Sequence, residues 1–166
     1  EENDALIKQF MNMAIDEAVL SMNEHLEPGI PPIFIGAVLV DSSNKILGKA
    51  HKIEDGHKRI HSEYQLLVNL PDKDNSSLTL YTTLEPCNFR HKSNNEQQAC
   101  TELIVSKRIG SVVIAMLDSH PNINGKAVEY LVNAGVDVKV LDGNNEYKPL
   151  VDRLIKMNSE FINFKW

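Results

Sequence analysis

The stretch TTLEPC, residues 82–87, decides how the rest of this 166-residue chain is organised. It reads as the end of a strand followed by a Pro-Cys turn. The only other cysteine, Cys100, follows after a polar loop, and His61 precedes the strand as the first residue of a His-x-Glu tripeptide. One histidine and two cysteines make three protein ligands, the number that catalytic zinc sites use while leaving a fourth position open. The sequence therefore predicts a zinc site formed by His61, Cys87 and Cys100.

Glu63 stands two residues after His61, and we expect it to move protons rather than bind the metal. Zinc-dependent base deaminases combine a His/Cys/Cys ligand set with a non-ligand Glu, in the pattern H-x-E followed by P-C and a further Cys. Residues two apart lie on nearly opposite faces in the middle of a helix. His61 and Glu63 can therefore serve one site only if His61 stands at the very start of a helix, and the polar segment before His61 fits this.

The alternative for the two cysteines is a buried or disulfide-bonded pair. The chain shows no signal-peptide pattern, and disulfides are rare in reducing compartments, so we expect a cytoplasmic location without a disulfide. No apolar run approaches the roughly 18 residues of a membrane span. We therefore expect no membrane association.

Composition and charge bound the class of protein. The 166 residues predict one domain, residues 1–166, with an ordinary hydrophobic fraction of 42%. The formal net charge of −6 and an aromatic fraction of 6% argue against a polynucleotide-binding groove, which needs basic and stacking residues. A small-molecule substrate is favoured, and nucleic acid is an unfavoured partner.

The order of predicted elements gives the fold class. Periodicity and turn residues predict alternating helices and strands, with a charged loop at 51–60. The Pro-Cys turn predicts that Cys87 lies near the N-terminus of a helix. The predicted helices are a first one from Ala5, His61–Leu70, Cys100–Lys107, Lys126–Asn133 and Tyr147–Phe164; the predicted strands are Ile33–Asp41, Ile46–Lys49, Leu78–Leu84, Ser111–Met116 and Val136–Val140. Strand–helix–strand units with short turns favour parallel pairing. The expected fold is an α/β protein, a three-layer α/β/α sandwich with a mixed five-stranded sheet.

Two residues allow a structural and a functional interpretation. Gly36, inside the first predicted strand, marks a bulge or tight packing, or else close approach of the backbone to a ligand. Glu85 precedes the Pro-Cys turn, and we favour a structural role in which its carboxylate holds loop amides.

These motifs resemble the cytidine-deaminase-like superfamily, and within it most nearly the deaminase domain of bifunctional riboflavin-biosynthesis proteins. The resemblance covers essentially the whole chain and rests on GAV at 36–38, HSE at 61–63, TLEPC at 83–87, ACTELI at 99–104 and PNINGK at 121–126. It implies the fold expected above, one zinc ion, Glu63 as the proton-transfer residue, and assembly as a homodimer or homotetramer.

The chain departs from that branch in the loops that contact substrate in the family. Ser62 stands where Ala is usual, and the loop between Cys87 and Cys100 is longer and lacks paired prolines. Basic and histidine side chains on the surrounding loops are candidate substrate contacts, although a solvated polar loop is an equal alternative. These candidates are His51, Arg59, Arg90 and Lys92.

The function expected from these features is hydrolytic deamination of a small pyrimidine nucleotide of the riboflavin-pathway type, diaminohydroxyphosphoribosylaminopyrimidine. Three alternatives stay open. They are a cytosine, guanine or adenine base, nucleoside or nucleotide deaminase of salvage or defence, a deaminase of tRNA or single-stranded DNA, and a non-catalytic zinc module. A purely structural zinc site prefers four protein ligands and has no need of Glu63, which disfavours the last.

Overall fold

A computed structural model describes residues 2–21, 29, 31–55, 58–88 and 98–166. The strands are β1 (Gly36–Val40), β2 (Ile46–His51), β3 (Ile53–Asp55), β4 (Lys58–Ile60), β5 (Thr79–Leu84), β6 (Ser111–Met116) and β7 (Asp137–Val140). The helices are α1 (Glu2–Val19), α2 (Ser62–Leu67), α3 (Cys100–Ser106), α4 (Lys126–Asn133), a short 3-10 turn at Asn145–Tyr147, α5 (Lys148–Met157) and α6 (Ser159–Ile162).

The main sheet has five strands in the order β2-β1-β5-β6-β7. The strand β1 pairs antiparallel with β2 and β5, whereas β5, β6 and β7 are parallel to one another. The mixed five-stranded sheet and the parallel pairing predicted from the sequence are both confirmed. The central position of β5 matters for function, because the Pro-Cys turn follows directly from its carboxyl end.

Two apolar clusters lie on opposite faces of this sheet. Alternate residues of β1 divide between them, because successive side chains of a strand point to opposite faces. Val38 and Val40 belong to the cluster that contains residues of α1 and α5. Ala37 and Leu39 belong to the cluster beneath α2, α3 and α4. The expected three-layer sandwich is therefore observed. Among the described residues, no helix combines the length and apolarity required to cross a membrane.

Gly36 marks a close contact between the sheet and α1. A Cβ atom at this position would lie 2.0 Å from the carbonyl oxygen of Ala14 and 2.6 Å from the backbone nitrogen of Ala18. Both neighbours are helix backbone, which cannot move aside as a flexible side chain can. Of the two interpretations of Gly36, the tight-packing one is therefore observed.

Replacing Gly36 with alanine should destabilise the fold, because the added methyl group would push α1 away from β1. We expect a loss of about 1–3 kcal/mol in the free energy of unfolding, measured by urea denaturation. Gly48→Ala in β2 is the matched control, since its Cβ would meet only the side-chain end of Leu66, at 2.8 Å. Equal losses in the two variants would contradict the packing assignment.

The segment 51–60, predicted as a loop, instead contains a second, two-stranded sheet. The strands β3 and β4 pair antiparallel, with Ile53 opposite Ile60. The same register places Glu54 opposite Arg59 and Asp55 opposite Lys58. The prediction of a loop over the whole of 51–60 is therefore wrong, because its two ends form paired strands.

Two predicted elements differ from the observed ones because of side-chain hydrogen bonds to the backbone. The first strand begins at Gly36 rather than Ile33, since the amide of Phe34 donates to Asn158 Oδ1 at 2.8 Å. The amide of Ile35 donates to Ser21 Oγ at 2.9 Å. The predicted last helix is divided at Asn158, a buried residue that ties the carboxyl-terminal helices to the start of β1.

Candidate zinc centre and active site

His61 occupies the position that the shared-site hypothesis requires. It is the N-cap residue of α2, with extended backbone angles of φ −71° and ψ 149°, and the helix begins at Ser62. Because His61 precedes the regular helix, its side chain is not constrained to the face opposite Glu63. The prediction that His61 stands at the start of a helix is confirmed, although this helix ends at Leu67 rather than Leu70.

Cys87 lies next to the N-terminus of a helix, as the sequence predicted. Residues 85–88 themselves have no helical assignment, and the helix concerned is α3. The thiol of Cys87 accepts a hydrogen bond at 3.2 Å from the amide of Cys100, the first residue of α3. The amide of Thr101 donates to the carbonyl oxygen of Cys87 at 3.1 Å. The first turn of α3 therefore holds both predicted cysteine ligands.

The ligand atoms of His61, Cys87 and Cys100 form one cluster, all within 4.8 Å of one another. His61 Nδ1 and Cys100 Sγ are 3.5 Å apart. Tetrahedral zinc with typical Zn–N and Zn–S bonds would separate such a pair by about 3.6 Å. Borderline-soft Zn²⁺ also prefers this combination of nitrogen and sulfur donors. The arrangement of the three residues thus fits a zinc ion.

The surroundings of Cys87 favour its thiolate form, which is the form that binds metal. Its hydrogen bond with Cys100, and then the hydrogen bond and charge of His61, lower the pKa of Cys87 to about 4, against the opposing effect of burial. The backbone amide of Cys100 contributes in the same direction. The site is therefore electrostatically prepared for a cation.

Glu63 lies beside this cluster and is almost completely buried, with 3% of its surface exposed. Its Oε1 accepts a hydrogen bond at 2.6 Å from the hydroxyl of Thr82 in β5, and its Oε2 is 3.8 Å from Cys100 Sγ. Sequence reasoning missed Thr82. The available signal is strand alternation, which puts Thr82 on the same face of β5 as Leu80, the face covered by α2.

Glu85 acts as a clamp for the loop that follows β6. Its Oε1 accepts hydrogen bonds from the amides of Asp118 at 3.1 Å and Gly125 at 2.9 Å, and its Oε2 accepts one from Ala127 at 3.0 Å. The structural interpretation of Glu85 is therefore observed. Burial, with a further contribution from the charge of Glu85, raises the pKa of the neighbouring Asp118.

Replacing Glu85 with glutamine should loosen this loop, because one amide donor would then oppose a backbone N–H group. We expect a stability loss of roughly 2 kcal/mol, the range for hydrogen bonds to a buried charged group, measured by urea denaturation. Glu160→Gln, at an exposed position of α6, should change stability by only a few tenths of a kcal/mol. A similarly small effect at Glu85 would argue against the clamp.

The predicted substrate contacts have different outcomes. His51 ends β2, its Nδ1 lies 2.9 Å from Glu17 Oε2, and its carbonyl oxygen accepts a hydrogen bond at 2.6 Å from Gln65 Nε2. Since Gln65 follows Glu63 by two residues in α2, His51 is tied to the helix that carries Glu63. Arg59 belongs to β4, with its side chain outside the described part of the chain. Arg90 and Lys92 lie outside the described residues.

The fold and the cluster together define a zinc-deaminase-like protein. Residues 5–116 match the family model described as the cytidine and deoxycytidylate deaminase zinc-binding region, and the chain belongs to this family. The zinc cofactor expected from the sequence is thereby confirmed at the level of the family, with His61, Cys87 and Cys100 positioned as a possible zinc site.

Several relatives carry names from riboflavin biosynthesis, which confirms the resemblance found in the sequence. The riboflavin biosynthesis protein RibD of Aquifex aeolicus (strain VF5) is 34% identical over 135 residues, which are 80% of this chain and 36% of the relative. The diaminohydroxyphosphoribosylamino-pyrimidine deaminase of Buchnera aphidicola subsp. Schizaphis graminum is 35% identical over 106 residues, 64% of this chain and 67% of the relative. The chain thus spans little more than a third of the first of these relatives.

Solved structures agree with this placement. RibD of Acinetobacter baumannii superposes with a TM-score of 0.72 at 25% identity, over 96% of this chain and 39% of that one. The diaminohydroxyphosphoribosylaminopyrimidine deaminase/5-amino-6-(5-phosphoribosylamino)uracil reductase of Thermotoga maritima gives a TM-score of 0.68 at 28% identity, over 95% of this chain and 42% of that one. The predicted cytidine-deaminase-like fold class is confirmed.

Proposed function

We propose that this chain catalyses zinc-dependent hydrolytic deamination of a pyrimidine nucleotide of the diaminohydroxyphosphoribosylaminopyrimidine type. The proposal rests on one observation. A cluster of three potential metal ligands lies beside a buried carboxylate that is not needed as a ligand. The cluster consists of His61, Cys87 and Cys100, and Glu63 Oε2 is 3.8 Å from Cys100 Sγ. Three protein ligands and an adjacent Glu are what the reaction requires.

His61, Cys87 and Cys100 would hold zinc, which supplies an activated water molecule when bound. Glu63 would take one proton from the attacking water and deliver it to the adjacent ring nitrogen. It would then take the remaining proton of that water, from the new hydroxyl group on the ring carbon, and pass it to the departing amine. The net reaction exchanges a ring C–NH₂ group and water for a carbonyl group and ammonia. The near-complete burial of Glu63 and Cys100 keeps bulk water from competing for these protons.

The substrate class is supported by the names of the relatives and by charge. A phosphorylated substrate needs cationic or amide donors, and the predicted contacts Arg59, Arg90 and Lys92 lie on segments that flank the metal ligands in the sequence. His51 remains a predicted substrate contact as well. The net charge of −6 favours a small substrate over a polynucleotide.

Ammonia release by the zinc-loaded protein tests the proposal. The panel contains the diaminopyrimidine ribosyl phosphate, its unphosphorylated form, cytosine, guanine and adenine bases with their nucleosides and nucleotides, and single-stranded oligonucleotides. We expect turnover of the diaminopyrimidine phosphate above all others. Turnover of cytidine or deoxycytidylate without activity on the diaminopyrimidine would overturn the substrate assignment, and no turnover of any compound would overturn the enzymatic one.

We also propose that residues 1–166 act as a single deaminase domain and assemble as a homodimer or homotetramer. Residues from both ends of the described chain support one domain, because Ile7 of α1 and Leu154 of α5 share one buried cluster. Exposed apolar residues on α4, Tyr130 and Val132, offer surface for self-association. Sedimentation analysis of the zinc-loaded protein at several concentrations tests the assembly, which a purely monomeric profile would contradict.

A further inference from the structure

The hydroxyl group of Thr82 contacts the proposed proton carrier directly. Its Oγ1 is 2.6 Å from Glu63 Oε1, the separation typical of an O–H donor on an ionised carboxylate. The same Oγ1 lies 3.1 Å from the carbonyl oxygen of Leu84. Thr82 has no exposed surface and Glu63 only 3%, so the contact is shielded from water. A buried hydrogen bond of this kind has a strong effect on side-chain orientation, because water does not compete for it.

Thr82 is held in place more firmly than Glu63. It lies in β5, the middle strand of the sheet, where the register pairs it with Ala37 on one side and Ile114 on the other. Glu63 has a long side chain and sits in the first turn of α2, a helix of only six residues. A bond from the rigid sheet to Oε1 therefore restricts the rotation of the carboxylate and leaves Oε2 towards Cys100 Sγ, at 3.8 Å.

We propose that Thr82 is a positioning residue. It fixes the Glu63 carboxylate so that Oε2 is directed at the cluster of potential metal ligands. This inference rests on the proposed function, in which Glu63 carries protons. It adds a residue from β5 to a site otherwise built from α2, the Pro-Cys turn and α3.

Thr82→Val tests the proposal, because valine keeps the shape of threonine and lacks the hydroxyl. With the diaminopyrimidine phosphate we expect kcat to fall on the order of tenfold to a hundredfold, the effect of losing one hydrogen bond to a charged group. KM should stay within about twofold, since ground-state binding is not affected. Zinc content should equal that of wild type, and Thr82→Ser should recover most of the lost kcat.

Thr83→Val is the matched control. Thr83 is the next residue of the same strand and equally buried, but its hydroxyl accepts a hydrogen bond from the amide of Gly36 at 3.1 Å. This variant should lose stability with little change in kcat. If Thr82→Val does not fold, Thr82→Ala and Thr82→Ser replace it as a pair that differs only in the hydroxyl group. Equal kcat values for variants with and without the hydroxyl would overturn the proposal.

Crystal structures of zinc-loaded wild type and Thr82→Val provide a readout that needs no substrate. We expect the Glu63 carboxylate to rotate or become disordered in the variant. An unchanged orientation would overturn the positioning role even if the wild type proved active on every expected substrate. A carboxylate that rotates in Thr82→Val, together with a wild type that is inactive on the whole panel, would support the positioning role while the proposed function fails.

Discussion

Glu63→Gln is expected to lose turnover by on the order of a hundredfold to ten-thousandfold, the usual contribution of general acid–base catalysis. Glutamine keeps the size of the side chain and its bond to Thr82, but its amide group does not carry a proton between water, ring nitrogen and leaving amine. The loss should appear in kcat rather than in KM, because the carboxylate acts on the reacting atoms. Ammonia release under saturating substrate measures it.

Zinc content separates this result from a damaged site. Glu63 is not among the three predicted ligands, so Glu63→Gln should bind the same amount of zinc as wild type. Glu129→Gln, at an exposed position of α4, is the control and should have wild-type turnover. Substantial turnover in the Glu63 variant would remove Glu63 from its proposed role, and loss of zinc would make it a ligand instead.

Cys100→Ser is expected to lose both zinc and activity. Serine replaces a thiolate by a hydroxyl that stays protonated at neutral pH, and Zn²⁺ binds such an oxygen far more weakly. We expect zinc to fall from about one ion per chain to near zero, with turnover reduced to background. Because a ligand that binds only the native state stabilises it, the wild type should lose thermal stability when zinc is chelated. The melting temperature of the variant should not respond to the chelator.

Thr101→Ser is the control for this variant. It alters the next residue of α3 and keeps the hydroxyl group that donates to Asn88 Oδ1 at 2.9 Å. The control should bind zinc and turn over substrate like wild type. Since Cys87 and Cys100 are the two cysteines of the chain, Cys87→Ser should match Cys100→Ser. Full zinc content in either serine variant would contradict the assigned ligand set.

Most of the fold could be predicted from sequence because long, regular elements have strong local signals. The strand Ser111–Met116 and the helix Lys126–Asn133 have the predicted boundaries. Predictions were wrong where a few distant atoms decide the outcome. The side chains of Asn158 and Ser21 accept hydrogen bonds from the backbone just before β1, so that strand is shorter than predicted. The strands β3 and β4 pair with each other, which the charged sequence of 51–60 did not indicate.

The sequence by itself determined the chemical identity of the site. The two cysteines, the His-x-Glu at 61–63 and the single Glu-Pro-Cys together indicate zinc, since zinc selects nitrogen and sulfur donors whatever the fold. The His-x-Glu tripeptide at 61–63 also predicted the backbone conformation of His61. Two side chains that are two positions apart can serve one site only if the first residue precedes the regular helix. Such inferences succeed because the constraint lies within a few covalently linked residues.

Only the tertiary structure decided how these residues are held. The thiol of Cys87 contacts the amide of Cys100, which is thirteen residues away. Glu63 meets Thr82 from another element, and Gly36 is required by the backbone of Ala14 and Ala18. Each of these contacts joins segments far apart in the chain, and its distance depends on how the helices pack on both faces of the sheet. Local patterns carry no information about such distances, which packing alone establishes.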